Sequence, residues 1–172
     1  AYPMQHNILL NPLRTLVIAM LSCIDASSYA AENQIIPLWK HGAPGFESRR
    51  DEAEIVERGS VTNVHNPSLT VFLPEQEHAN GVGIVIAPGG GLRKLGMRGG
   101  GEEPARFLAE HGFTAFVLKY RLSRQPGQPY KFEEHVLADG QRAIRLVRHR
   151  AAEFHLDPEK IGMLGFSAGG EV

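Results

Sequence analysis

From Ile35 onward the apolar residues fall into short runs separated by polar, glycine-rich and proline-rich segments. Ile35 to Trp39, Leu69 to Leu73, Phe113 to Tyr120 and Ile161 to Gly165 have the length and composition of strands, and Gly81 to Ala87 is β-branched enough to be covered on both faces. Two stretches carry helical spacing instead. One starts near Glu102, takes Pro104 in its first turn, lines up Ala105, Leu108 and Ala109, and stops at Gly112. The other runs from about Glu134 to Glu153 with Leu137, Ile144, Val147 and Ala151 on one face, leaving Arg142, Arg145, Arg148 and Arg150 as a solvated face. The charged segment Glu47 to Arg58 reads as an exposed loop, and His41 to Gly45 and Asp157-Pro158 as turns. Strand, helix, strand, helix, strand predicts parallel strands with right-handed crossovers, hence an α/β protein with a three-layer α/β/α sandwich and a mostly parallel sheet.

Composition narrows the chemistry. The 172 residues are 42% hydrophobic, enough to bury a core, and 18 Lys+Arg against 19 Asp+Glu leave no field that favours nucleic acid or an anionic membrane. Cys23 is the sole cysteine, so no intramolecular disulfide forms, and the eight histidines show no zinc-ligand spacing. No metal is expected.

The first thirty residues have a different pattern. Met4 is the first plausible start, so residues 1–3 are read as lying upstream of it. Arg14 precedes the apolar run Leu16 to Ile24, and Ser28-Tyr29-Ala30 offers small residues at the −3 and −1 positions of a cleavage site. Residues 1–30 are therefore expected to be a secretory signal peptide and 31–172 to be the domain, placing the protein in a secreted or periplasmic location. The run is shorter than the ~20 apolar residues that span a bilayer. Leu21-Ser22-Cys23 partly matches a lipoprotein cleavage site, an alternative form of the same export.

The densest chemical signal is Gly165-Phe166-Ser167-Ala168-Gly169, a Gly-x-Ser-x-Gly motif directly after an apolar strand. A serine on a sharp strand-to-helix turn sits in a strained backbone region, and small neighbours let the chain turn and let substrate approach. Ser167 is the candidate nucleophile, with Gly165, Phe166 and Gly169 forming its elbow. Acyl transfer also needs donors for a developing oxyanion. Pro88-Gly89-Gly90-Gly91 comes after the buried strand, where such a loop belongs. Neither this run nor Gly96 to Gly101 has the glycine order of a dinucleotide fingerprint, and neither carries a phosphate-loop lysine.

These segments together resemble the α/β-hydrolase esterases, in particular their secreted acetylxylan-esterase-like branch. The resemblance rests on Gly165 to Gly170, Ile84 to Gly91, Ala115 to Leu122, Asp157-Pro158 before Ile161-Gly162, and Pro37-Leu38-Trp39 with Gly42 to Gly45. It implies hydrolysis of short acyl esters, often acetyl groups on plant cell-wall carbohydrate, with no cofactor. Carried over by position, it implies Ser167 as nucleophile and the amides of Ala168 and of Gly90 or Gly91 as the oxyanion hole. Leu92 and Gly99-Gly100-Gly101 stand where such proteins often carry an aromatic or histidine and a His-Glu-Gly stretch.

In this fold the triad carboxylate and histidine come after the serine, and only Ala168, Gly169, Gly170, Glu171 and Val172 lie beyond Ser167. The expectation is an N-terminal portion of a catalytic domain, truncated after the nucleophile elbow and inactive or nearly so alone. Two alternatives stay open: a non-catalytic hydrolase-like module completed by another chain, and a serine peptidase of the same fold.

Overall fold

The structure, a computed structural model, describes residues 33–172; the expected signal peptide and Cys23 lie outside the described residues. Seven strands and two helices succeed one another as β1 (Ile35–Pro37), β2 (Ile55–Glu57), β3 (Ser60–Thr62), β4 (Ser68–Phe72), β5 (Gly83–Ala87), α1 (Glu103–Glu110), β6 (Thr114–Lys119), α2 (Leu137–His149) and β7 (Ile161–Gly165). The main sheet has the order β1-β4-β6-β5-β7. β5 pairs in parallel with β6 and β7, while β4 runs antiparallel to both of its neighbours, so four of the five strands share one direction.

The crossovers explain the layers. From β5 the chain steps through α1 to β6 on one side, then returns through α2 to β7 on the other. Right-handed crossovers that step in opposite directions lie on opposite faces of the sheet. Packing agrees: Gly101, in the turn leading into α1, abuts Val117, whereas Phe154, just beyond α2, meets Phe116 edge-on at 5.2 Å. Val117 and Phe116 are neighbours in a strand and point to opposite faces. The expected sandwich is therefore the observed one, and β5 and β6 are almost wholly buried within it.

Three local expectations are corrected. Glu47 to Arg58 is not simply a loop: Glu47–Arg49 forms a helical turn, and Ile55–Glu57 pairs with Ser60–Thr62 as a hairpin. Its two-residue turn has positive φ at both Arg58 (47°) and Gly59 (77°), the geometry that matches strand twist, and arginine at the first position hid it. The second helix ends at His149 rather than Glu153. The chain tightens over Ala151–Phe154 and turns at His155 (φ 53°), which seats Leu156 against Gly83. Finally, α2 buries Asp139, Gly140, Ala143, Leu146 and Val147, while Leu137 and Ile144 are only half-buried. The stripe is rotated because a charged residue, Asp139, lies inside, and because Gly140 leaves room for Val172 and Met163.

Candidate active site

The order β6-β5-β7 reverses direction at β5, and in open α/β sheets such a reversal opens a crevice beyond the carboxyl ends of the strands. Ala87 and Gly165, the last residues of β5 and β7, are register partners. This register brings together the two segments that leave these strand ends, Pro88 to Gly91 on one side and Phe166 to Gly169 on the other. The Phe166 amide donates to the Ala87 carbonyl at 3.0 Å, and a side-chain carbon placed on Gly89 would lie 3.2 Å from Ser167 Cβ.

Ser167 has φ 51°, a left-handed conformation that costs a non-glycine residue on the order of 1 kcal/mol or more and persists only where the surroundings enforce it. The enforcing contact is visible. Gly169 packs so closely on the Ala87 carbonyl that any side chain there would collide with it. Beyond the serine the chain makes a five-residue 3-10 turn, Ser167–Glu171. Ala168 is buried and Ser167 is exposed.

The glycine loop is held from three sides. Tyr120, at the end of β6 and without accessible surface, donates from its hydroxyl to the Pro88 carbonyl at 2.6 Å. Burial, with the Glu171 carboxylate adding to it, pushes this phenol well above its ordinary pKa, so it stays a donor. The Gly96 amide donates to the Gly89 carbonyl at 2.8 Å, and the Arg93 and Lys94 amides donate to the Gly90 carbonyl, closing a tight turn. Gly90 itself has φ 142°, and a side chain would strike the Lys94 carbonyl. Among the described residues no partner is seen for the amides of Gly90, Gly91 or Ala168, so these three donors are unused at the rim where Ser167 stands. Leu92, also left-handed (φ 58°), is fully buried, and its carbonyl accepts from the Arg124 amide.

Two features of the site's frame give no local sequence signal. Arg121 and Asp139, both buried, form a two-pronged pair (Nε to Oδ2 2.9 Å, Nη2 to Oδ1 2.8 Å). Trp39 Nε1 also donates to Asp139, at 3.1 Å. The pair fastens the end of β6, just past Tyr120, to α2. His65 is likewise fully buried, bonded to the Tyr130 hydroxyl at 2.6 Å and to Asn63 at 2.8 Å. Among the described residues no hydrogen bond joins Ser167 to a histidine or carboxylate. Among the described residues one group of possible metal ligands converges, Glu75, Glu77 and His78, exposed on a turn beyond the end of β4 that lies away from the crevice.

The chain is 33% identical over 104 residues to an acetylxylan esterase of Xylanibacter ruminicola, covering 60% of this chain and 20% of that protein. It is 32% identical over 106 residues to endo-1,4-beta-xylanase B of Butyrivibrio fibrisolvens, covering 62% and 16%. Among solved structures, an acetyl ester-xyloside bifunctional hydrolase from Caldicellulosiruptor lactoaceticus superimposes with a TM-score of 0.59 at 32% identity, covering 81% of this chain and 44% of that one. The chain thus spans about a fifth of the length of the curated relatives it matches and under half of the solved structure. The fold is that of the α/β-hydrolase esterases. The BD-FAE family profile matches residues 69–172, from β4 through the glycine loop to the serine turn, and the chain belongs to that family.

Proposed function

We propose that Ser167 is the nucleophile of a carboxylic ester hydrolase acting on short acyl esters, with acetyl groups on xylan-type carbohydrate as the substrate class. The observation that carries the reading is the left-handed Ser167 beside a glycine loop whose amides are unused. The acetylxylan esterase and xylanase relatives support the substrate class. In the acylation step Ser167 Oγ bonds to the ester carbonyl carbon while its proton passes to a base. The carbonyl oxygen becomes an oxyanion that the amides of Ala168 and of Gly90 or Gly91 receive. The bond to the sugar oxygen then breaks, that oxygen takes the proton, and water later releases the acid from the serine. The apolar run Leu16 to Ile24 with Ser28-Tyr29-Ala30 supports export, which fits a polymer substrate outside the cell.

The 172-residue chain presents no base to Ser167 among its described residues, and a neutral serine hydroxyl without one is a poor nucleophile. Alone, the chain is expected to be inactive or nearly so. Free imidazole can stand in for the base. Release of acetate from acetylated xylo-oligosaccharide is measured with and without imidazole, for the chain and its Ser167→Ala variant. The expected result is background without imidazole and a Ser167-dependent increment with it. Strong imidazole-free turnover that needs Ser167 would overturn the inactivity, and no Ser167-dependent turnover in either condition would overturn the nucleophile.

A further inference from the structure

The β2–β3 hairpin stands at the same rim as Ser167, on the far side of the glycine loop. Val61 and Leu95 exchange both backbone hydrogen bonds at 2.8 Å, and the Arg98 amide donates to the Gly59 carbonyl at 3.1 Å. Glu54, just before β2, pairs with Lys119 at the end of β6 at 2.7 Å. The hairpin is thereby fixed to the segment that begins at Gly90. Between them lies a cleft of about 580 Å³ lined by Ile55, Glu57, Arg58, Ser60, Thr62 and Lys94.

The lining has a specific chemistry. Ser60 and Thr62 offer hydroxyls, and Glu57 can accept from sugar hydroxyls. Arg58 and Lys94 are exposed cations with no carboxylate at ion-pair distance among the described residues, whereas nearby Arg98 is already paired with Glu103 at 3.2 Å. Two cations against the single carboxylate of Glu57, beside hydroxyls, match a polyhydroxylated ligand that also carries an anionic group. Lys94 bonds to Gly90 through its backbone, so a ligand in the cleft sits one turn of chain from the unused amides.

We propose that this cleft is a subsite for a carboxylate-bearing sugar unit of the polymer whose ester is presented to Ser167, an inference that rests on the esterase reading above. Two xylo-oligosaccharides of equal length, each carrying one acetyl ester, one with a single uronic-acid branch and one neutral, are titrated into the isotopically labelled 172-residue chain at low salt while backbone amide shifts are followed. The acidic ligand is expected to move the amides of Gly59 to Thr62 and of Lys94 and to bind about fivefold more tightly than the neutral one, as two partly exposed ion pairs allow. Lys94→Gln combined with Arg58→Asn, asparagine being tolerant of positive φ, should reduce acidic binding to the neutral level. The core amides of Phe116 and Leu118 report that the variant is folded. Equal affinities, shifts confined to other surfaces, or no binding by either ligand would overturn the subsite. Imidazole-assisted acetate release on the same samples separates the two readings. Ser167-dependent release without a charge preference removes the subsite alone, whereas a charge preference without such release keeps the cleft as an acidic-sugar site and removes the ester chemistry.

Discussion

His65 is fully buried at the centre of a polar cluster, yet it is silent in the sequence. It is a lone histidine between Val64 and Asn66, and beyond its neighbour Asn63 the groups it meets, Arg49 and Tyr130, lie 16 and 65 residues away along the chain. Nothing in local spacing announces such a cluster. Burial, and then the Arg49 guanidinium, hold its imidazole below the ordinary value of 6.5 against the weaker pull of Glu52 and Glu54. As pH falls, the unfolded chain takes up this proton before the folded one does. Stability from this group is therefore full above 6.5 and is lost as pH falls through the folded value. His135, held low by burial and by Arg121, acts with the same sign. Thermal melts taken stepwise downward from neutral pH should show a falling midpoint, and His65→Gln should flatten the dependence without abolishing it; an unchanged slope would show that His65 is not the titrating group. Ser167 is the opposite case, because its strained turn is written in five consecutive residues.

Among the elements, those with a self-contained pattern were legible. The buried strands β5 and β6 and the parallel order through β7 derive from apolar runs alternating with helical spacing. The hairpin and the face of α2 were not legible, because each depends on a long-range partner. Arg121 and Asp139 have ordinary charged side chains until β6 and α2 are packed together, when they become each other's main solvent replacement. Asp139→Asn leaves the guanidinium buried without its counter-charge and is expected to destabilise the domain by about 3–5 kcal/mol. Glu54→Gln, which breaks the more accessible pair with Lys119, should cost less than about 1 kcal/mol. Urea unfolding midpoints of the two variants check the contrast, and equal losses would refute the distinction drawn between them.

For the molecule as a whole, the sheet is parallel across β6-β5-β7, antiparallel at β4, and leaves β7 paired on one side only among the described residues. Met163, Leu164 and Phe166 are exposed along this edge. An apolar strand with unpaired backbone groups recruits another strand. The 172-residue chain should therefore self-associate with rising concentration, and Leu164→Lys should suppress this in sedimentation velocity without lowering the melting temperature. A chain that stays monomeric without the substitution would contradict the expectation. The crevice itself combines legible and illegible parts: both glycine-bearing motifs are plain in the sequence, but their meeting depends on the Ala87–Gly165 register. At that meeting point backbone touches backbone, with Gly89 against the serine turn and Gly169 against the Ala87 carbonyl. No side chain can be added there without moving a strand end, so this corner has almost no room to diversify. Change is then confined to the periphery, where exposed residues such as those of the β2–β3 hairpin can be replaced while the corner stays constant.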